Sequence, residues 1–374
     1  MSTSLSRRGF AKILGTSAAY AVLNPTVSFS APALRLVSET SRATGVVRLS
    51  SNENPYGPSP LALKAMTDAF SLAWRYPDEH EQLLVETLAK LHHVAPEQIL
   101  TGNGSGEVLK VAAAAFTAPG KKLVVGNPTF EAILAHARTA QAEVVSINLT
   151  SDYSHDLSKM LAATNDAGLV YICNPNNPTA SITPKDQLRA FLQKVPSQTI
   201  VLIDEAYHHY VESNDYESVI PLLTQYPNLV VARTFSKVYG MAGLRCGYCV
   251  ARPELIRRMR GQQTWDSVNI MALVAAIASL QDAAQVEQGR RRNTEVKKFV
   301  YAELDRMGLK YIPSHANFLM INLRRQVKPM IAAMRERKVE VGRVFPAMPE
   351  FMRVTIGTRP QMDAFVSAFR EAMV

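Results

Sequence analysis

Short apolar runs alternate with helix-like segments from about residue 100 to residue 250. Six runs have the length and apolar content of strands, at residues 122–125, 143–147, 169–173, 199–203, 229–233 and 247–250. Helical periodicity lies between them at residues 107–116, 130–139 and 185–194. Apolar runs without polar alternation indicate a sheet that is buried on both faces. The pattern therefore predicts an α/β domain with a mostly parallel sheet sandwiched by helices.

The two ends of the chain have a different pattern. Before residue 100, strand-like runs (46–49 and 97–100) alternate with helix-like ones (61–73 and 82–91). After residue 253 helical periodicity continues to about residue 307, and strand-like and helix-like segments then follow at 318–322, 329–338, 353–356 and 360–372. This carboxyl-terminal part predicts a smaller α+β domain. A chain of 374 residues, 47% of them hydrophobic, is long enough for both.

We therefore predict four parts. Residues 1–33 form a signal segment, and residues 34–80 form an arm and part of the small domain. Residues 81–265 form the large domain, and residues 266–374 form the small carboxyl-terminal domain. The chain contains no internal repeat and no low-complexity linker.

The first 33 residues have the layout of an export signal. The pair Arg7-Arg8 stands before Gly9-Phe10, an apolar stretch covers residues 13–23, and small residues with a proline follow at 30–33. This order is typical of a secretory signal, and the paired arginines resemble a twin-arginine signal. We expect export to the periplasm, with an amphipathic helix and a cytoplasmic protein as the alternative. The apolar stretch is too short for a comfortable membrane span, so no stable insertion is expected.

Charge and cysteine content exclude several other classes. The net charge of +9 comes without a zinc-finger spacing or an aromatic-interleaved basic stripe, so nucleic-acid binding is not expected. The basic run 290–292, followed by Lys297 and Lys298, reads as a solvated helix face. Cys246 and Cys249 have a Cys-x-x-Cys spacing, but positions i and i+3 of a strand face opposite sides. We therefore expect neither a metal site nor a disulfide there.

Four local patterns at strand ends carry candidate chemistry. A glycine-rich turn at residues 102–107 lies between a strand and a helix, where backbone amides can bind an anion. An Asn-Pro-rich turn at residues 174–179 follows a strand, at the end where ligands bind in open α/β sheets. Taken alone, either pattern also fits an ordinary turn.

The other two patterns hold the acidic and basic groups. Asp204 follows an apolar run, and a carboxylate there can keep a pyridinium nitrogen protonated or can simply cap a helix. Residues 234–245 combine hydroxyls, Lys237, glycines and Arg245 in one loop. A neutral lysine can form a Schiff base, and an arginine can bind a phosphate in a bidentate manner. A lone lysine is usually solvated, but its neighbours here also supply a phosphate site.

Taken together, these motifs resemble those of the fold-type I, class I/II aminotransferases, and in particular the histidinol-phosphate aminotransferase-like group. The motifs are Asn-Asn-Pro-Thr (176–179), Asp-Glu-Ala-Tyr (204–207), Ser-Lys (236–237) and Gly-Leu-Arg-Cys-Gly-Tyr (243–248), with Asn-Glu-Asn-Pro-Tyr-Gly-Pro (52–58) before them and Arg-Val-Thr-Ile-Gly-Thr (353–358) after them. They occur in family order and cover the chain from about residue 46 onward. The resemblance implies a seven-stranded sheet, a large domain that binds pyridoxal 5′-phosphate, and a homodimer.

The resemblance also implies a role for individual residues. Lys237 would bind the cofactor as a Schiff base and act as the acid and base, Asp204 would pair with the pyridine nitrogen, and Tyr207 would contact the ring oxygen. The remaining cofactor contacts would be Asn177, Phe130, Ser105, Gly106, Thr234, Ser236 and Arg245, with Tyr76 from the neighbouring subunit. Substrate contacts would be Asn52, Arg343 and Arg353, and no metal is implied.

The implied reaction moves an amino group between an L-amino acid, or an amino-alcohol phosphate such as histidinol phosphate, and a 2-oxo acid. The exact substrates stay open, because Ala180 replaces the glycine common after Asn-Pro-Thr and residues 38–48 lack the tyrosine of the histidinol-phosphate enzymes. A decarboxylase, racemase or lyase on the same scaffold is the alternative reaction class. An exported binding protein without catalysis is the alternative that Lys237 argues against.

Overall fold

A seven-stranded sheet runs through the middle of the molecule. The computed structural model describes residues 45–373, and the predicted signal segment lies outside them. The strands of this sheet are β2 (Ile99–Gly102), β3 (Lys122–Asn127), β4 (Val144–Asn148), β5 (Ala167–Cys173), β6 (Ile200–Asp204), β7 (Leu229–Thr234) and β8 (Gly247–Ala251). Their order is β2-β8-β7-β6-β5-β3-β4, and only β8 runs antiparallel to its neighbours. The predicted mostly parallel α/β sheet is confirmed.

Helices cover both faces of the sheet. They are α1 (Pro60–Ala69), α2 (Asp78–His92), α3 (Ser105–Phe116), α4 (Ala132–Thr139), α5 (Leu157–Ala162), α6 (Lys185–Lys194), α7 (Pro253–Arg260) and α8 (Ile270–Gln281). One face packs on α1, α2, α6 and α8, and the other packs on α3, α4 and α7. Successive strand residues alternate between these two cores: in β5, Val170 and Ile172 belong to the first core and Leu169 and Tyr171 to the second. Strands buried on both faces explain the apolar runs.

The carboxyl-terminal part builds a second core beside the sheet. It contains α9 (Ala283–Arg306), β9 (Lys310–Ile312), β10 (Phe318–Asn322), α10 (Val327–Glu336), β11 (Val339–Glu340), β12 (Phe351–Thr355) and α11 (Arg359–Met373), with β1 (Val47–Arg48) from the amino-terminal side. Strands β12, β10 and β9 form an antiparallel sheet, and β1 pairs in parallel with β11. The small α+β core is as predicted, whereas the domain boundaries at 80/81 and 265/266 stay predictions. Helix α8 packs in the core of the large sheet.

Three local predictions are corrected. The helical stretch predicted for residues 253–307 is divided into α7, α8 and α9, because residues 261–269 and Asp282 are not helical. Helix α5 was not predicted. The basic run 290–292 is exposed as expected, but Lys297 is only 7% exposed, and its Nζ donates a 2.6 Å hydrogen bond to the carbonyl oxygen of Ser314.

The two cysteines of the Cys-x-x-Cys spacing lie on opposite sides, as predicted. Cys246 and Cys249 are free thiols that belong to the cores on opposite faces of the large sheet. Within residues 45–373, no cluster of three or more His, Cys, Asp and Glu side chains is arranged to hold a metal. In the same range no single helix is long and apolar enough to span a membrane, and α8 with α9 meets the criterion only jointly, across an 84° bend.

Candidate active site

A cavity of about 510 Å³ opens where the parallel strands of the large sheet end. Its wall contains every predicted site residue except Tyr76, namely Asn52, Ser105, Gly106, Phe130, Asn177, Asp204, Tyr207, Thr234, Ser236, Lys237, Arg245, Arg343 and Arg353. Strands β5, β6 and β7 end at Cys173, Asp204 and Thr234, so the loops that follow them meet at one edge of the sheet. Tyr76 lies outside this wall, with 80% of its surface exposed.

The loop after β7 carries the amine. Lys237 is half-buried, and its Nζ donates a 3.2 Å hydrogen bond to the carbonyl oxygen of Asn52 and lies 5.3 Å from the centre of the Tyr207 ring. Burial, helped by the positive charge of Arg353, lowers the pKa of Lys237 from 10.5 to about 8. A substantial fraction of this amine is therefore neutral, and nucleophilic, at slightly alkaline pH.

Asp204 ends β6 and is only 3% exposed. Its Oδ1 accepts the backbone N–H of Ala206 at 3.1 Å, and its Oδ2 accepts the hydroxyl of Tyr171 at 2.9 Å. Burial raises the pKa of Asp204 to about 6, although both hydrogen bonds and the charge of Lys237 favour the ionised form. The carboxylate therefore remains mostly ionised at neutral pH.

Hydrogen bonds link Tyr207, Asn177 and Arg353 in the cavity wall. The hydroxyl of Tyr207 accepts from Nδ2 of Asn52 at 3.2 Å and from Nδ2 of Asn177 at 3.4 Å. The Asn177 Oδ1 in turn accepts from Nη1 of Arg353 at 2.8 Å. Tyr207 packs edge-on against Phe318, and burial raises the pKa of its phenol. This chain fixes the positions of a phenol, an amide and a guanidinium around one space.

The first turn of α3 forms a corner rich in hydrogen-bond donors. The residue before the helix, Gly104, has φ +75° and no side chain to cap the first amides. A Cβ atom on Gly104 would clash with Nη2 of Arg245, so any other residue here would displace that guanidinium. Thr234 Oγ1 and Ser236 Oγ, 2.9 Å apart, complete the corner, and the first helical amides are those of Ser105 and Gly106. Such a set of donors is suited to a phosphate group.

Arg353, on β12, is the second candidate anion site. Its Nη1 and Nη2 bind neutral oxygens, those of the Asn177 side chain and the Ser50 backbone, each at 2.8 Å. Its Nε is buried without a hydrogen-bond partner. Among the ion pairs of residues 45–373, none includes Arg353. A half-buried guanidinium without a counter-charge favours binding of a carboxylate or phosphate.

Arg343 lies at the mouth of the cavity and does have a counter-charge. Its Nη2 contacts Oε2 of Glu131 at 2.5 Å, and its Nη1 donates to the carbonyl oxygen of Val344 at 3.0 Å. The guanidinium groups of Arg343 and Arg353 both lie over the Phe345 ring, at 4.4 and 5.0 Å from its centre. This part of the cavity wall therefore contains two arginines and the carboxylate that is paired with one of them.

Sequence reasoning did not single out Tyr171, which contacts Asp204, or Glu131 and Phe345, which contact Arg343. The first had a detectable signal. Tyr171 pairs with Leu202 in the neighbouring strand, and Asp204 is two residues after Leu202, so the two side chains share a face of the sheet. Glu131 follows the predicted Phe130, and Phe345 lies two residues after the predicted Arg343, but only the folded chain brings Glu131 and Phe345 into one cavity wall.

The arrangement fits a phosphorylated pyridine aldehyde. The corner at α3 offers donors for a phosphate, Asp204 offers a buried carboxylate for a protonated ring nitrogen, and Lys237 offers an amine for an aldehyde. The open space at Gly106, where an added Cβ would meet nothing within 4 Å, leaves the helix amides accessible to such a group. The residues present are those that pyridoxal phosphate requires.

The model of the family "Aminotransferase class I and II" matches residues 44–369. The chain therefore belongs to this family, and it is a pyridoxal-phosphate-dependent aminotransferase.

Individual relatives agree with this assignment. The chain is 39% identical over 344 residues to the histidinol-phosphate aminotransferase of Moorella thermoacetica, covering 90% of this chain and 89% of that protein. The crystal structure of a putative histidinol-phosphate aminotransferase from Erwinia carotovora matches with a TM-score of 0.85 and 31% identity, over 88% of this chain and 96% of that one. The crystal structure of the Sinorhizobium meliloti histidinol-phosphate aminotransferase in complex with pyridoxal-5′-phosphate matches with a TM-score of 0.83 and 26% identity. The match covers 90% of this chain and 94% of that one.

Proposed function

We propose that Lys237 is the residue that binds pyridoxal phosphate covalently, through Nζ, and that Asp204 pairs with the ring nitrogen. The observation that carries this assignment is a nucleophilic amine and a buried, ionised carboxylate in the wall of one cavity, beside a donor-rich corner. Tyr207 and Asn177 then face the ring oxygen, Phe130 packs on the ring, and the phosphate is bound by Ser105, Gly106, Thr234, Ser236 and Arg245.

The bound cofactor supplies an aldehyde carbon that condenses with amines, releasing water, and a ring that accepts electron density from the substrate Cα. The chain has to place and remove protons. Lys237 would hold the cofactor through Nζ and, as a free amine, would take the proton from the substrate Cα. Asp204 keeps the ring nitrogen protonated, which its two hydrogen bonds support because they stabilise the carboxylate.

The substrate pair that we propose is an amine donor, either an L-amino acid or an amino-alcohol phosphate such as histidinol phosphate, with a 2-oxo acid as acceptor. Arg353 binds the carboxylate or phosphate of the substrate, since its guanidinium has no counter-charge. Asn52 lines the entrance, and Arg343 lies where the distal end of the substrate would be. Relatives at 39% identity that carry the name histidinol-phosphate aminotransferase support the phosphate-bearing donor.

A donor and acceptor screen tests this function. Purified protein loaded with pyridoxal phosphate is incubated with single amines and 2-oxoglutarate, and glutamate, carbon dioxide and D-amino acids are measured. Glutamate formed from an amino acid or from histidinol phosphate supports the proposal. Carbon dioxide or a D-enantiomer without glutamate would replace transamination by decarboxylation or racemisation.

We also propose a homodimer in which Tyr76 reaches the phosphate corner of the neighbouring subunit. Large aromatic side chains are exposed along residues 70–76: Phe70 at 63%, Trp74 at 74% and Tyr76 at 80%. An exposed aromatic patch of this kind is typical of an interface. Sedimentation velocity tests the dimer. Tyr76→Ala should weaken pyridoxal-phosphate binding in a dimer, and a monomeric protein with unchanged binding would contradict the proposal.

Export of the protein is proposed from the leader alone. The pair Arg7-Arg8 and the apolar stretch at 13–23 support a twin-arginine signal. In cells that express the full chain, the protein should fractionate with the periplasm and Arg7→Lys/Arg8→Lys should retain it in the cytoplasm. If the wild-type protein and the variant distribute equally between periplasm and cytoplasm, the proposed signal is wrong.

A further inference from the structure

Glu131 is the acidic side chain that neutralises Arg343 at the mouth of the cavity. It precedes α4, but its side chain makes no capping hydrogen bond to that helix. Instead its Oε2 lies 2.5 Å from Nη2 of Arg343, and both residues belong to the cavity wall. The carboxylate is therefore placed for a role in the cavity rather than in the helix.

The ion pair between Glu131 and Arg343 is easily broken. Both side chains are about half exposed, at 53% for Glu131 and 54% for Arg343, and exposed ion pairs are weak because water screens them. Arg343 also keeps contacts that do not depend on Glu131, with the Val344 carbonyl and the Phe345 ring. An anion that enters the cavity can therefore take the place of the Glu131 carboxylate without moving the arginine far.

An aminotransferase uses one site for two different substrates in each cycle, its amine donor and its oxo-acid acceptor. Building on the proposed amino-acid function, we infer that Glu131 is a specificity-determining residue that competes with the substrate for Arg343. A substrate with an anionic distal group must displace Glu131, whereas a neutral side chain binds with the Glu131–Arg343 pair intact. The Glu131–Arg343 pair thus lets the cavity accept substrates with anionic and with neutral side chains. It also lowers the affinity for the anionic substrates.

Arg353 differs from Arg343 because it has no carboxylate partner among the described residues. It binds only neutral oxygens in this structure, so the anion that it accepts displaces no carboxylate. Both arginines contact the Phe345 ring, yet only Arg343 has an internal competitor. Removing Glu131 should therefore change selection at the distal end and leave carboxylate binding at Arg353 unaltered.

The test compares L-glutamate with its uncharged isostere L-glutamine in the first half-reaction of the loaded enzyme, followed by cofactor absorbance. In Glu131→Gln the half-saturating concentration of glutamate should fall by about 2- to 5-fold, the range expected for an exposed ion pair, and that of glutamine should stay constant. Arg343→Gln should raise the half-saturating concentration of glutamate but not that of glutamine. The double variant Glu131→Gln/Arg343→Gln should behave like Arg343→Gln. Glu217→Gln removes the partner of Arg189 outside the cavity wall and is the matched control.

Three results separate the inference from the proposed function. If neither amino acid changes the cofactor absorbance of the wild-type protein but another amine does, the same comparison is made with an anionic and a neutral member of that substrate class. A second result is that both substrates react while Glu131→Gln changes their half-saturating concentrations equally, or changes neither. In that case Glu131 does not compete for Arg343 and the inference is overturned. If no amine reacts at all, the proposed function itself fails.

Discussion

The hydroxyl of Tyr171 donates a 2.9 Å hydrogen bond to Oδ2 of Asp204, and both residues are buried. The two side chains meet because Tyr171 on β5 and Asp204 on β6 share one face of the sheet at its carboxyl edge. The hydrogen bond stabilises the ionised carboxylate against the cost of burial. In the proposed assignment Tyr171 would be a positioning residue, acting on the cofactor through Asp204.

Tyr171→Phe tests this relationship. Without the hydroxyl, the pKa of Asp204 should rise further, and the carboxylate should hold the proton of the ring nitrogen less well. We expect turnover to fall about 10- to 100-fold, since a hydrogen bond to a charged group contributes about 1.5–3 kcal/mol. The visible absorbance of the bound cofactor should also become pH-dependent at a higher pH than in the wild type. Tyr311→Phe removes a tyrosine near Asp305 outside the cavity wall and should change neither property.

Gly104→Ala should remove cofactor affinity through a clash at the phosphate corner. The added Cβ would lie 2.3 Å from Nη2 of Arg245, so the guanidinium must move away. The control is Gly120→Ala, which has a similar positive φ (+78° against +75°) but meets nothing within 4 Å. Both variants should lose about 1–3 kcal/mol of stability from backbone strain. Only Gly104→Ala should bind pyridoxal phosphate at least 10-fold more weakly, and equal binding by both variants would show that Arg245 does not hold the phosphate.

The pKa of Lys237, lowered by burial to about 8, predicts how the protein loads its cofactor. Below this pKa the amine is protonated and unreactive, so the rate of condensation with pyridoxal phosphate should rise with pH and reach half its maximum near pH 8. Arg353→Gln removes a positive charge that lowers this pKa, and it should move the midpoint to higher pH. Arg189→Gln, an arginine outside the cavity wall, should leave the midpoint in place. A midpoint near the ordinary lysine value of 10.5 would show that Lys237 is not the reacting amine.

Glu205, the neighbour of Asp204, has a structural rather than a chemical role. It is 1% exposed and accepts hydrogen bonds from Arg233, Ser218 and the backbone of Val219. Glu205→Gln should lower the free energy of unfolding by about 3–5 kcal/mol, because it leaves the buried Arg233 without its counter-charge. Urea unfolding measures this loss. A decrease below about 1 kcal/mol would mean that the Arg233–Glu205 pair is not important for stability.

The sequence was sufficient for the parts of the site that lie next to one another along the chain. Each of the loops around Asn177, Asp204 and Lys237 follows an apolar strand, and parallel strands bring their carboxyl ends to one edge. Motif order and strand pattern together therefore predicted the cavity wall as well as the sheet.

Other features depend on packing, which a local pattern does not contain. Lys297 belongs to a basic stretch of α9, yet it is buried because Ser314 and the small-domain core close over it. The contact between Glu131 and Arg343 joins residues 212 positions apart. The φ of +59° at Ala180 explains why glycine is common there, but the backbone conformation became visible only in the structure.

The central claim is that Nζ of Lys237 is the amine that binds pyridoxal phosphate. Lys297 is a good internal control, since burial also lowers its pKa to about 8 and it lies outside the cavity wall. The protein is loaded with pyridoxal phosphate, reduced with borohydride and digested, and the peptides are mapped by mass spectrometry. Our account predicts one pyridoxyl-phosphate adduct, on Lys237, with Lys297 unmodified. An adduct on another lysine, or none on Lys237, would contradict it.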